Sequence, residues 1–257
     1  VNARICVLAS SSAGNSTFIH AGRTRLLIDA GLNRKETFAR LSAIGEDPGA
    51  LDAILITHEH SDHVAGLPVI NRTLKIPVFL SHLTAPQIVW NGDPPTIRTF
   101  QAGAAFDVGD IAVQSFTVPH DAVDPVGFAL RAGPLKIAIA TDLGYLPENV
   151  KHHLRGTHFL LLESNHCPEM LKVGPYPWAI KQRILSRRGH LSNEAAGEYI
   201  ACDLPAESRL LLLGHLSEQN NCVWTVDLTA RQALERRGLF PALRVAEPRV
   251  PTEVFSL

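Results

Sequence analysis

The stretch Thr57-His58-Glu59-His60-Ser61-Asp62-His63 constrains this chain more than any other. It follows Ala53-Ile54-Leu55-Ile56, a short β-branched apolar run that reads as a buried strand. Val64 to Ile70 comes next and looks like a helix entry. Three imidazoles and a carboxylate therefore crowd the mouth of one strand. His58 and His60 are two apart, so in an extended backbone they point the same way. Asp62 and His63 follow where the chain turns. Imidazole-plus-carboxylate sets of this kind suit divalent zinc or manganese. A surface turn that is merely rich in histidine is a poor account of four ligand-type residues at this spacing after a strand.

Three more candidates stand at predicted strand ends. His120 follows Ser115 to Pro119, Asp142 follows Ile137 to Thr141, and His215 follows Leu210 to Gly214. A lone histidine after a strand is ordinary, but an open metal site needs several donors. With the cluster, the set becomes seven. His58, His60 and His120 take one cation, Asp62, His63 and His215 take another, and Asp142 bridges them. Asp29, also at a strand end, is expected to hold the cluster loop through hydrogen bonds. Two cations about 3.5–4 Å apart make a nucleophile of the water between them and stabilise charge on an attacked phosphoryl or carbonyl group. Asp62 can both bind metal and orient that hydroxide.

The 257 residues can bury a large core, and 46% hydrophobic with 19% charged residues marks a globular protein. No linker, charge run or repeat cuts the chain, so residues 1–257 read as a single domain. The longest apolar runs are far too short to span a bilayer, and the start flows into a strand pattern with no signal-peptide core. Four scattered cysteines suggest reduced thiols and a cytoplasmic protein. The net charge of −1 supplies no global field for a polyanion. Strands are expected at 4–9, 17–20 and 24–29, with a polar loop over 10–16 between the first two. Helices are expected at 34–44, 84–90, 148–155, 178–188, 193–202 and 226–237, and hairpins over 96–119. Strand meanders followed by helices, once in each half, predict an α/β or α+β sandwich with sheets inside.

These residues resemble the metallo-β-lactamase superfamily: His58-x-His60-x-Asp62-His63, then His120, Asp142 and His215. Closer motifs are similar to the YycJ/WalJ-type exonucleases of that superfamily. They are Ser10-Ser11-Ser12-x-Gly14-Asn15-Ser16, Pro119-His120-Asp121-Ala122-x-Asp124-Pro125, Thr141-Asp142-Leu143-Gly144-Tyr145, Leu162-Glu163-Ser164-Asn165-His166, Gly189-His190-Leu191-Ser192-Asn193 and His215-Leu216-Ser217-x-x-Asn220-Asn221. The resemblance runs over nearly the whole chain. It implies a four-layer αβ/βα sandwich of the metallo-β-lactamase fold with a dinuclear site at the sheet edges. It also implies metal-dependent phosphodiester hydrolysis, with 5′-exonuclease action on DNA and zinc or manganese as cofactors. A kinship with transfer-RNA 3′-processing enzymes casts His190 as general acid and leaves RNA open as a substrate. The chain departs from those relatives in lacking the inserted domain of ribonuclease J and the extended arm of the transfer-RNA enzymes. Asp142 stands where secreted β-lactamases usually carry cysteine, which argues against an antibiotic substrate.

Between Glu169 and Glu194 there is no acid, but Lys172, Lys181, Arg183, Arg187 and Arg188 lead to His190. Such a stretch can pair with successive phosphates. The Ser10–Ser16 loop offers hydroxyls and amides for a terminal phosphate. Ser11, Ser12, Asn15, Arg188 and Asn193 are accordingly assigned to substrate binding. Tyr145, Tyr176 and Trp178 could stack on bases, though core packing is the commoner fate of such rings. A small-molecule hydrolase of the same fold, acting on a lactone, thioester or small phosphodiester, would use the same ligands; the basic stretch and His190 favour the nuclease. A non-catalytic nucleic-acid-binding module has no need of seven metal-ligand residues. Oligomeric state is not legible in the sequence.

Overall fold

The computed structural model describes residues 2–90, 92, 94 and 96–257. The first half runs β1 (Ala3–Ser11), β2 (Gly14–Ala21), β3 (Thr24–Ile28), α1 (Arg34–Ala43), β4 (Ala53–Leu55), α2 (Ser61–Val64), α3 (Leu67–Leu74), β5 (Val78–Ser81) and β6 (Ile97–Phe100). The second opens with the strands β7 (Ala105–Val108), β8 (Ile111–Thr117), β9 (Val126–Ala132) and β10 (Leu135–Ala140). Then come α4 (Glu148–Leu154), β11 (Phe159–Glu163), α5 (Pro168–Val173), α6 (Trp178–Ile184), α7 (Asn193–Asp203), β12 (Leu210–Gly214), α8 (Val223–Arg237), β13 (Ala242–Val245) and β14 (Phe255–Ser256).

Two seven-stranded mixed sheets result, ordered β14-β1-β2-β3-β4-β5-β6 and β13-β12-β11-β10-β9-β8-β7. Each begins as an antiparallel meander and continues as parallel strands, β3 to β6 in one and β10 to β13 in the other. Alternation divides the strand residues between two faces. Ile5, Val7, Ile19, Leu26 and Leu55 meet Val113, Phe128, Leu130, Ile137 and Leu161 in the core between the sheets. On the outer face of the first sheet, Leu8, Phe18, Leu27 and Ile54 pack with Leu41 of α1 and Leu67 and Ile70 of α3. On the outer face of the second, Ala138, Leu160 and Leu211 pack with α4, α7 and α8 through Val150, Ile200 and Ala230. The layers are thus helix, sheet, sheet, helix. Burying each such Leu, Ile or Phe stabilises the fold by about 1.5–3 kcal/mol before conformational entropy is set against it.

Several expected elements differ. The polar loop over 10–16 is instead the end of a hairpin, with β1 and β2 paired out to Ser11 and Gly14 around a two-residue turn. Ladder hydrogen bonds there outweigh the loop tendency of serine and glycine. The helix at 84–90 shrinks to a 3-10 turn at Ala85–Gln87, and the backbone is already extended at Ile88, with ψ 121°. Only Ala105–Thr117 within 96–119 is a hairpin; Ile97–Phe100 pairs in parallel with β5, so the chain changes sheets between β6 and β7. The helix at 178–188 ends at Ile184. Gly189 then packs under that helix end, where a Cβ would lie 2.1 Å from the Ile184 carbonyl oxygen. No described helix is long and apolar enough to cross a membrane, and none of the four cysteines is in a disulfide.

Candidate metal centre

The C-terminal ends of β4, β8, β10, β11 and β12 open onto one rim. Register sets β10, β11 and β12 level, with Ala140 beside Leu162, Leu162 beside Leu213 and Glu163 beside Gly214. Asp142, Glu163 and His215 therefore emerge at similar height. Asp142 and His215 adopt left-handed backbone angles, φ 58° and 56°, as Asp29 does at the end of β3 with φ 62°. Such residues are strained by about 1–2 kcal/mol each unless glycine occupies the position, and strain of this kind gathers at functional sites. Two hydrogen bonds stitch the sheets at the rim: Val126 N to the Thr57 carbonyl, 3.0 Å, and His215 N to Ser10 Oγ, 2.7 Å. Gly31 lets the loop after β3 press on the cluster, since a Cβ there would lie 1.7 Å from the Asp62 carbonyl oxygen.

His58, His60 and His120 bring ligand atoms within 4.8 Å of one another, and so do Asp62, His63 and His215. His60 Nδ1 and His120 Nε2 are 3.3 Å apart. Asp142 sits between the groups, with Oδ2 3.3 Å from His63 Nε2 and Oδ1 3.9 Å from His120 Nε2. His58, His63, His120, Asp142 and His215 are buried, while His60 and Asp62 are partly open. His58 Nε2, His215 Nε2 and Asp142 Oδ2 are buried without a hydrogen-bond partner among the described residues. An orphaned buried polar atom costs about 1–3 kcal/mol, so three at one spot call for a cation. The donor set, imidazole nitrogen with carboxylate oxygen, fits zinc or manganese.

The outward nitrogens are each fixed. His63 Nδ1 donates to Asp29 Oδ2 at 2.8 Å, His120 Nδ1 to the Gly189 carbonyl at 3.1 Å and His215 Nδ1 to Glu163 Oε1 at 2.7 Å. Each bond turns Nδ1 outward and leaves Nε2 facing the cluster, where it would serve as the ligand atom once a cation displaces its proton. Thr57 N and Oγ1 both donate to Asp29, which holds the cluster loop against β3. His190 Nδ1 lies 2.8 Å from Glu163 Oε1, so one carboxylate serves His190 and His215. Glu163 also accepts from the backbone N of Leu143 and of Leu191, both at 3.0 Å.

Charge follows this wiring. Burial, then the neighbouring His63, His120 and His60, pushes His58 well below the usual imidazole range, which leaves it neutral and able to ligate. Burial works against protonated His63 and His215, yet Asp142 and further carboxylates outweigh it and hold both well above that range. Burial likewise opposes the Asp62 carboxylate, but the neighbouring His215 and His63 imidazoles, with Nε2 3.7 and 3.5 Å from Oδ2, hold it far below the usual carboxyl range. His190 is raised: burial disfavours its proton and Glu163 more than restores it. A protonated imidazole is what a general acid requires.

The assigned substrate residues do not gather. Ser12 is exposed at the β1–β2 turn, but Ser11 is buried and accepts from Ala13 N at 3.2 Å. Asn15 is buried with Nδ2 3.0 Å from Asp62 Oδ2, so it orients an acid of the cluster. Asn193 is buried among Ser164 and Asn221. Arg188 donates to the carbonyls of His120, at 3.0 Å, and Ala122. In this structure Ser11, Asn15, Arg188 and Asn193 each make hydrogen bonds within the protein, while Arg188 remains exposed. The basic stretch is also partly spent: Lys172 pairs with Glu169, Arg183 with Asp121, Lys181 donates to the Lys172 carbonyl, and Arg187 lies 4.2 Å over the Tyr145 ring. Sequence reasoning missed the parts played by Glu163, Thr57 and Ser10. For Glu163 a signal existed, a lone acid closing the apolar run Phe159 to Leu162.

Comparison with known proteins agrees with this geometry. Residues 24–216 match the β-lactamase superfamily domain. The exodeoxyribonuclease YycJ of Bacillus anthracis is 37% identical over 260 residues, covering 96% of this chain and 97% of its own. The exodeoxyribonuclease WalJ of Streptococcus pneumoniae serotype 2 (strain D39 / NCTC 7466) is 36% identical over 238 residues, covering 91% and 88%. Among solved structures, the metallo-β-lactamase fold protein YhfI from Bacillus subtilis superposes with a TM-score of 0.74 over 100% of this chain and 99% of its own, at 16% identity. The chain belongs to the metallo-β-lactamase superfamily and is a metal-dependent hydrolase related to the YycJ and WalJ exodeoxyribonucleases.

Proposed function

We propose that this protein is a dinuclear phosphodiesterase that removes nucleotides from DNA ends, acting in the cytoplasm as one domain over residues 1–257. The observation that carries the reading is the rim where seven donors meet His190, in a chain whose relatives at 36–37% identity are exodeoxyribonucleases. His58, His60 and His120 would hold one cation, Asp62, His63 and His215 the second, with Asp142 shared. Two divalent ions so held supply a nucleophile from water at neutral pH and offset the charge that builds on the phosphoryl oxygens. Asp62, steadied by Asn15, accepts a hydrogen bond from the attacking water and aims it. His190, kept protonated by Glu163, gives its proton to the leaving oxygen. A small-molecule hydrolase is the second reading, favoured by the ion pairs that neutralise part of the basic stretch.

End-labelled single- and double-stranded DNA and RNA, incubated with zinc or manganese, decide between them. Shortening of DNA from an end is expected; cleavage only of a small chromogenic diester or ester would overturn the nuclease. Asp62→Ala should abolish hydrolysis while the circular dichroism spectrum stays that of the parent. His190→Ala should lower kcat by about 10²–10⁴ with little change in DNA affinity, and a pure affinity loss would remove its assignment as acid.

A further inference from the structure

We infer that a hollow on the outer face of the second sheet, beside α4, binds a small phosphate monoester at a site separate from the metal centre. The inference does not depend on the nuclease reading. The hollow measures about 350 Å³, the space of roughly a dozen waters, which admits a phosphate with a sugar-sized body. Ala105, Ala112 and Ala129, on the neighbouring strands β7, β8 and β9, share one face of the sheet and make its floor. Their methyl groups fill little of the space beside α4, whose His152 and His153 form the facing wall.

Charge supplies the second argument. Arg131 and Lys136 are directly paired across β9 and β10, so they stand on the same face and both line the hollow. Like charges placed opposite each other in a sheet are destabilising. With His152 and His153 they make four basic side chains at one spot, and no acid lines it. The whole chain has a net charge of −1, so this concentration of base is local. Burial, then Arg131, pushes the Lys136 amine down; burial, then His152 and Lys136, pushes the His153 imidazole down; no carboxylate acts on either.

Lys136 is only 7% exposed although it carries an ammonium. Its Nζ donates to the Arg155 carbonyl at 2.6 Å, at the C-terminal end of α4, which fixes the amine and leaves two of its three protons. A buried charge without a counter-charge is costly, and an anion in the hollow supplies one. A phosphate monoester brings close to two negative charges and three acceptor oxygens. The Arg131 guanidinium can take two of those oxygens at once, beside Lys136. The alanine floor suits a neutral body attached to the phosphate. From Lys136 to Ala140 the strand β10 runs about 13 Å towards the rim, so the seven donors and His190 lie too far off to touch a phosphate held at Lys136.

Calorimetry with chelator-stripped protein and ribose 5-phosphate tests the site, since stripping leaves no cation at the rim to take the phosphate. The parent should bind ribose 5-phosphate and not ribose. Arg131→Gln and Lys136→Met should each weaken binding by roughly tenfold or more. Arg131→Glu sets an acid opposite Lys136, so it should abolish binding and raise the Tm of the ligand-free protein, because the sheet then carries its own counter-ion. Arg131 is exposed, and its two variants keep the test valid where Lys136→Met fails to fold. A parent that ignores ribose 5-phosphate, unchanged affinity in Arg131→Gln, or a lower Tm in Arg131→Glu overturns the site. A 5′-phosphorylated oligonucleotide that binds through Arg131 where ribose 5-phosphate does not would make this face a nucleic-acid contact and overturn the small-ligand site. None of these variants lies at the rim, so the nuclease reading stands or falls on the end-labelled substrates alone.

Discussion

At Glu163 a buried carboxylate accepts from four donors, two of them the imidazoles of His190 and His215. The sequence shows an acid closing an apolar run but not what it holds, because the partners lie 20 to 52 positions away and meet it only through strand register. The seven donors were easier to read, since ligand type and strand-end position are both visible in the chain. Burial raises the Glu163 carboxyl, but the charge of His190 and hydrogen bonds from both imidazoles outweigh it and hold the group below the usual range. A depressed carboxyl contributes stability that is complete above its unfolded value, about 4.3, and lost as pH falls through the lower folded value. Metal-free parent should therefore lose stability on acidification from about pH 4 downward. Glu163→Gln should show a shallower fall, by up to about 1.4 kcal/mol per pH unit, in urea unfolding at stepped pH. Parallel curves would mean that Glu163 gains nothing from its imidazoles.

Between elements, the segment after α6 works as a clamp. The expected helix through 188 would have carried Arg188 along a solvated face towards phosphate. The chain instead breaks at Ile184, Gly189 folds back beneath that end, and Arg188 reaches the carbonyls of His120 and Ala122. The Gly189 carbonyl accepts from His120 Nδ1, so the same turn fixes that ring from its other side. Sequence periodicity could not show the break, because it is imposed by close approach of backbones rather than by a proline or a cap. Removing Arg188 takes two hydrogen bonds from the loop that carries His120. Arg188→Ala should lower metal affinity by about 10–100-fold, as losing an outer partner of a ligand does. Competition with a chromophoric chelator would measure it. Unaltered metal affinity together with weaker DNA binding would mean that Arg188 acts as a phosphate contact and not as a support of the His120 loop.

Across the whole molecule, two sheets meet at a rim that holds five imidazoles and two carboxylates in the space of a few ångströms. The sandwich itself was legible, because alternation and apolar runs mark inner and outer faces whatever the loops do. The pairing of β6 with β5, and hence the crossing between sheets, was not, since a four-residue strand carries no signature of its partner. The rim is costly while no cation is bound: His58 is kept neutral, and three buried polar atoms lack partners. A cation that binds these donors only in the folded arrangement must therefore stabilise the fold. At free metal 100-fold above its dissociation constant the gain is about 2.7 kcal/mol. For a chain of this size that corresponds to a rise in Tm of roughly 5–10 °C. Thermal unfolding in buffered zinc or manganese, against protein stripped with a chelator, should show Tm climbing with the logarithm of free metal. Asp142→Asn removes the acid between the two groups and should flatten the climb without lowering the metal-free Tm by a comparable amount. A Tm indifferent to metal over three decades of concentration would mean that the rim is no metal centre.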